Sequence, residues 1–248
     1  MKLSLIMPAR NEAAAIGPLL AEIRRLLPEA EVIVVDDGST DVTPAIATGC
    51  GARVISHPYP KGNGAAVKTG ARAATGDILV FMDADGQHQP EDIPRLLAKL
   101  EEGYDMVVGA RGMQGHAGVH RGLANAVFNR FASWMVNHRV EDLTSGFRVV
   151  RAEHFRRFLY LLPNSFSYPT TCTMSFFRAG LGVAYVPVNM PPRIGRSHIR
   201  PFRDGVRFLL IIIKIGTLYS PFRLFLPVSL GFFCLGALYY SYTLLMQG

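Results

Sequence analysis

Short β-branched runs alternate with helical patterns through the first half of the chain. "KLSLIM", "EVIVV", "ARVIS", "DILVFM" and "DMVVG" are near-continuous apolar segments, and residues 12–27, 42–49, 64–74 and 91–102 between them carry helical periodicity. Strands apolar on both sides and separated by helices predict an α/β fold with a mostly parallel sheet covered on both faces. Such sheets bind ligands beyond the carboxyl ends of their strands. The polar residues gather there: "PARNE" after the first strand, "DDGSTD" after the second, "DADGQH" after "DILVFM". Beyond Gly109 the pattern loosens into a predicted helix over 123–136, a loop "VEDLTSGFRVV" that enters a strand, and a last strand "GVAYVPV". No internal repeat or low-complexity linker breaks the run, so one domain is expected over residues 1–200.

The far end reads differently. Residues 222–246, "FRLFLPVSLGFFCLGALYYSYTLLM", carry one charge, Arg223, at their edge. Their length suffices to cross a hydrocarbon core of ~30 Å as a helix, which predicts a transmembrane span. In residues 201–221, Arg203, Arg207 and Lys214 recur at intervals of four and seven, one polar stripe on an apolar rod. That pattern predicts an amphipathic helix lying in the membrane interface; a core helix with snorkelling cations is the alternative. The basic flank precedes the span, so the positive-inside rule places the N-terminal domain on the cytoplasmic side.

Charge sharpens this picture. The chain carries a net +7, and from residue 193 to 223 seven basic residues face one acid, Asp204, so the excess is local. Cations clustered beside an apolar span point to an acidic membrane-borne partner and not to nucleic acid. Cys50, Cys172 and Cys234 are far apart and form no CxxC, which predicts buried reduced thiols. The apolar run in "MKLSLIMPARNE" is too short for a signal peptide, so any chemistry is expected in the cytoplasm.

Candidate chemistry sits at the strand ends. Asp83 and Asp85 are two apart, so on an extended backbone they point the same way and can share a divalent cation. Hard oxygen ligands, with Gln87 adding another, suit Mg²⁺ or Mn²⁺ better than zinc. A capping turn before Pro90 would use the same residue types. Asp36 and Asp37 end a buried strand, where one can accept hydrogen bonds from a ribose or base. In "PKGNGAAVKTG", Gly62 and Gly64 allow close backbone approach, with Lys61 and Lys68 nearby; a plain turn is the other reading. Neither a phosphate-binding GxxxxGK[ST] nor a GxGxxG in the first strand–helix turn is present, which lowers kinases and dinucleotide oxidoreductases.

In order, "MPARNE", "VIVVDDGSTD", "KGNGAAVKTG", "DADGQHQPEDIPRL", "VVGAR" and "DLTSGFRVVR" resemble the polyprenyl-phosphate (dolichyl-phosphate) mannose and glucose synthases of the family 2 glycosyltransferases. The resemblance runs from about residue 4 to about 223. It implies a GT-A fold, a nucleotide-sugar donor, a divalent metal and inverting transfer to a polyprenyl phosphate. It places Pro8, Ala9, Arg10, Asn11 and Glu12 at the nucleobase, with Asp36 or Asp37 at base or ribose. Asp83 and Ala84 would lie by the ribose and diphosphate, with Asp83, Asp85 and Gln87 on the metal. Arg111, Ser145 and Arg148 would grip the acceptor phosphate, and Asp142 would stand beside the reacting centre as a base or a positioning group. The family's Arg-x-x-Gly-x-Ser-Lys stretch is represented by "RIGRSH", with Arg193, Ser197 and His198; it is one residue shorter and ends in histidine. A phosphate monoester is largely ionised near neutral pH, so the nucleophile needs little activation. The harder tasks are neutralising the leaving diphosphate and aligning two anions. A processive polysaccharide synthase would show Gln-x-x-Arg-Trp, which the single tryptophan, Trp134 in "FASWMV", does not match. A silent nucleotide-sugar-binding scaffold would be expected to lack Asp83 and Asp85.

Overall fold

The computed structural model describes residues 1–111, 119–165, 167–191, 201–219 and 221–247. Seven strands form one sheet in the order β3-β2-β1-β4-β6-β5-β7. They are β1 (Leu3–Ala9), β2 (Glu31–Asp36), β3 (Arg53–Ser56), β4 (Ile78–Phe81), β5 (Met106–Arg111), β6 (Arg148–Arg151) and β7 (Val183–Val188). The pairings are parallel except at β6, which runs antiparallel between β4 and β5. The mostly parallel α/β sheet is as expected; the reversed strand in its middle is not signalled by the sequence pattern.

Strand alternation builds two cores. Leu5 and Met7 of β1, Val32 and Val34 of β2 and Val80 of β4 pack beneath α1 (Ala13–Leu26), α2 (Thr43–Gly49) and α4 (Ile93–Glu101). Their neighbours Ile6, Ile33, Val35, Leu79 and Phe81 pack on the other face against α3 (Asn63–Ala73), α6 (Ala152–Arg157) and α7 (Tyr168–Arg178). Each buried aliphatic or aromatic side chain contributes about 1.5–3 kcal/mol before chain entropy is set against it. Between β6 and β7, α7 is buried from Tyr168 to Phe177.

A third cluster joins α5 (Val119–Val136), α7 and α8 (Pro201–Tyr219) through Met135, Leu143, Met174, Phe177, Ile212 and Ile215. The expected amphipathic helix thus has one face on the domain. The Ile212 and Ile215 face of α8 belongs to the domain core, while Leu209, Leu210 and Leu218 are exposed. Helix α9 (Pro221–Gln247) includes one apolar stretch, Pro221–Met246, long enough to cross a membrane and with none of its hydrophobic window buried. The cysteines are free, but only Cys172 is buried; Cys50 is half-buried and Cys234 is exposed on α9.

Candidate active site at the carboxyl edge of the sheet

Because β1, β2, β4 and β5 run the same way, Ala9, Asp36, Phe81 and Arg111 end at one edge. The antiparallel β6 adds its preceding loop, residues 142–147, to that same edge. Motifs scattered over more than a hundred residues therefore meet where a ligand can reach them.

After β4 the chain makes a tight turn. Gly86 takes a φ of 76°, and the Gln87 N–H donates to Asp85 Oδ1 at 3.1 Å. The Gln87 side-chain nitrogen donates to the Pro191 carbonyl at 3.2 Å. The Asp83 N–H donates to His88 Nδ1 at 2.9 Å, which fixes the ring proton on Nε2. His88 is stacked on Phe147 at 5.0 Å, and burial pushes its pKa down to about 4 despite the nearby Asp85. Asp83 keeps 37% of its side chain exposed and receives Asn63 Nδ2 at 3.4 Å. Gly146 backs the same carboxylate: a Cβ there would stand 3.0 Å from Asp83 Oδ2.

The neutral His88 gives a sign for acid sensitivity. Its folded pKa lies below the unfolded value near 6.5, so the unfolded chain binds the extra proton between about pH 6.5 and 4. Stability from this group is present above about pH 6.5 and is lost as pH falls towards about 4. Denaturant unfolding across that window should show the slope in the wild type and its loss in His88→Asn; equal slopes would contradict the assignment.

Arg111 and Asp142 form a fork-to-fork pair. Nε donates to Asp142 Oδ2 at 2.9 Å and one terminal nitrogen donates to Oδ1 at 3.1 Å. That nitrogen also donates to Thr144 Oγ1. Asp142 further accepts the backbone N–H groups of Arg111, Thr144 and Ser145. Burial raises the Asp142 pKa, but Arg111 and these donors more than offset it and hold the carboxyl below its ordinary range. Burial also works against the Arg111 charge, and Asp142 overcomes it, raising the guanidinium's pKa. The carboxylate thus holds Arg111, whose side chain is 27% exposed, by two hydrogen bonds.

At the β1 and β2 ends, the loops zip together. Asn11, at φ 55°, accepts the Thr40 N–H at 2.8 Å, and its own N–H donates to Ser39 Oγ at 2.9 Å. Thr43 and Asp41 accept the Glu12 and Ala13 N–H groups and so cap the start of α1. Pro8 and Ala9 are buried, Glu12 is half-buried and Arg10 is exposed. Asp36 accepts the Ser39 N–H at 3.0 Å. Asp37 instead binds His57 Nδ1 and the Lys61 and Gly62 N–H groups, each at 2.8 Å. Of the two acids Asp37 is the loop anchor, which leaves Asp36 as the candidate for a base or ribose.

Three sequence expectations change here. Arg148 has no exposed surface and donates to the Ser145 and Pro169 carbonyls, so it does not reach an acceptor phosphate. The reason is the β6 alternation: residue 148 shares a face with Val150, beneath α7. Ser145 is buried and donates to the Gly109 carbonyl at 2.6 Å, a loop-closing role. Gly62 and Gly64 meet the chain's own backbone at Pro163, Asn164 and Ser165, and Lys68 holds the same segment through Leu162 O and Asn164 Oδ1. With φ 104° at Gly62, Gly62→Ala or Gly64→Ala should each cost at least ~2 kcal/mol in thermal unfolding; unchanged midpoints would contradict this packing. Lys61 is exposed, with its ammonium 5.5 Å from the Tyr59 ring centroid. Arg193, Ser197 and His198 lie outside the described residues.

The family model described as "Glycosyl transferase family 2" matches residues 4–177, and a second, "GtrB C-terminal hairpin", matches residues 220–248. The chain belongs to glycosyl transferase family 2. A dolichyl-phosphate hexose transferase of Haloferax volcanii is 32% identical over 215 residues, 86% of this chain and 93% of the relative. An undecaprenyl-phosphate mannosyltransferase of Micrococcus luteus is 31% identical over 214 residues, 80% of this chain and 88% of the relative. Among solved structures, glucosyl-3-phosphoglycerate synthase of Mycobacterium tuberculosis, in complex with Mn²⁺, UDP-glucose and phosphoglyceric acid, superposes with a TM-score of 0.69 at 25% identity, covering 87% of this chain and 79% of that one. The sheet is thus the GT-A type that the motifs implied.

In this family 2 glycosyltransferase the candidate site has further residues that the sequence pattern alone does not single out. Asn63 lies inside "KGNG", and His88 inside "DGQH". Thr144 is recognisable only once the Arg111–Asp142 pair is seen. Asp83, Asp85 and Gln87 share one turn, and among the described residues no three His, Cys, Asp or Glu side chains gather as a metal-binding group. Two carboxylates and an amide are hard oxygen donors that fit a Mg²⁺ or Mn²⁺ ion completed by ligands from a substrate.

Proposed function

We propose that the protein is a membrane-bound inverting glycosyltransferase that moves a sugar from a UDP- or GDP-sugar to a polyprenyl phosphate, releasing the nucleoside diphosphate. The observation that carries this reading is one chain joining a carboxylate turn and a clamped arginine at the sheet edge to an exposed apolar helix of 26 residues. The acceptor class named for the two relatives supports it. Residues 1–200 form the catalytic domain, 201–221 a helix between domain and membrane, and 222–246 the span, with the domain on the cytoplasmic face.

In this reading Pro8 to Glu12 and Asp36 edge the nucleoside. Asp83, Asp85 and Gln87 would hold the divalent ion. When bound, the ion supplies positive charge to the leaving diphosphate. Arg111 meets the acceptor phosphate, preset by Asp142 and Thr144 so that little side-chain entropy is lost on binding. The acceptor oxygen is already anionic, so no protein base is needed and Asp142 stays ionised throughout. The basic stretch with Arg193, Ser197 and His198 adds further donors for the lipid phosphate, which lies at headgroup depth.

The acceptor decides between this and a soluble-acceptor reading. Offered labelled nucleotide-sugar with undecaprenyl phosphate and 3-phosphoglycerate together, the protein should label the lipid alone. Label in phosphoglycerate and none in lipid would overturn the proposal.

A further inference from the structure

Arg148 is the largest fully buried side chain, and its charge has no carboxylate partner among the described residues. One terminal nitrogen donates to the Ser145 carbonyl at 2.5 Å; the other faces the Pro169 carbonyl at 3.3 Å and Thr173 Oγ1 at 3.4 Å. Its Nε is buried and has no hydrogen-bond partner among the described residues. The guanidinium lies 5.8 Å from the centroid of the Tyr168 ring, whose hydroxyl donates to the Gly146 carbonyl at 3.3 Å. Gly146 in turn backs the Asp83 carboxylate. A guanidinium thus stands behind the loop that floors the carboxylate turn.

A buried cation without a counter-charge is costly, and an apolar side chain of similar volume would fill the same space. The two acids of the turn, Asp83 with 37% of its side chain exposed and Asp85 buried, would by themselves repel a diphosphate. We propose that Arg148 is a positioning residue for the donor, a fixed charge behind the Ser145–Gly146 loop that offsets these acids and favours a nucleoside diphosphate over a lone cation. The inference rests on reading this edge as a nucleotide-sugar site. It differs from a packing role in sign, because removing the charge should weaken diphosphate binding while leaving Mn²⁺ binding equal or stronger.

The test is calorimetric binding of Mn²⁺ alone, and of UDP and GDP with Mn²⁺, to the full chain and to Arg148→Met, Arg148→Gln and Arg148→Lys. The wild type should bind at least one nucleotide with Mn²⁺. The Met and Gln variants should bind it ~10-fold or more weakly, with Mn²⁺ alone held as tightly as in the wild type or more so, and Lys should restore affinity to within ~3-fold. Parallel weakening of both ligands in all three variants, or an unchanged Met variant, would overturn the inference. If circular dichroism shows Met and Gln unfolded, Lys decides alone: a ~10-fold loss of nucleotide affinity overturns it and near wild-type affinity supports it. A wild type that binds neither nucleotide would overturn the site reading itself, and this inference with it.

Discussion

Asp85→Asn should lower sugar transfer by ~10³-fold or more while leaving the fold intact. The carboxylate lies in the turn after the buried strand β4 and shapes it by accepting the Gln87 N–H, and asparagine keeps an oxygen able to accept that bond. What asparagine lacks is the negative charge that would hold a divalent ion against the leaving diphosphate. The loss therefore belongs to turnover and to cation affinity, not to thermal stability. Initial rates over a Mn²⁺ titration, beside a melting curve, separate the two. Wild-type rates from the variant would remove the metal assignment.

Asp142→Ala should be the most damaging change outside the carboxylate turn, lowering transfer by ~10²-fold or more and stability by about 3 kcal/mol. It leaves Arg111 partly buried without its counter-charge and frees the guanidinium from the orientation set by two bonds to one carboxylate. Three backbone N–H groups also lose their acceptor. If Asp142 were instead a general base, Asp142→Asn would keep the loop and the fold while activity rose with pH as another base took over. As a positioning group, Asp142→Asn should raise the apparent KM for the lipid phosphate, with no new pH dependence above about pH 5. The pair also sets an acid limit. Because the Asp142 pKa is lower folded than unfolded, its stabilisation is present above the unfolded value near 4 and lost as pH falls through the folded one.

Much of this is legible in the residues because the polar clusters come directly after apolar strands, and parallel strands deliver the loops at their carboxyl ends to one edge. The order "PARNE", "DDGSTD", "DADGQH" is therefore enough to place these motifs together at that edge, the candidate site. The misplaced residues share a physical cause. "RVVR" is an ordinary strand by pattern, and nothing local says that it enters between β4 and β5 or turns Arg148 beneath α7. Helix α7, "YPTTCTMSFFR", is buried nearly all round and so has no polar face for periodicity to detect. Its hydroxyls are drawn into the fold; Thr170, for one, donates to the Leu143 carbonyl. Gly62 and Gly64 look like a ligand-binding turn because glycine marks any close approach, and the approaching backbone here is residues 163–165. Which of two adjacent acids anchors the loop is likewise set at a distance, by His57 meeting Asp37 across 20 residues.

Sugar transfer to a lipid phosphate is the activity at stake, so the most direct measurement is transfer itself: labelled UDP-glucose, GDP-mannose and UDP-N-acetylglucosamine, each offered to a polyprenyl phosphate in detergent or membranes, with and without a chelator. A chelator-sensitive glycolipid from one of these donors is the expected result. No product from any of them, with nucleotide-sugar binding intact, would contradict it and leave a binding protein in place of a transferase.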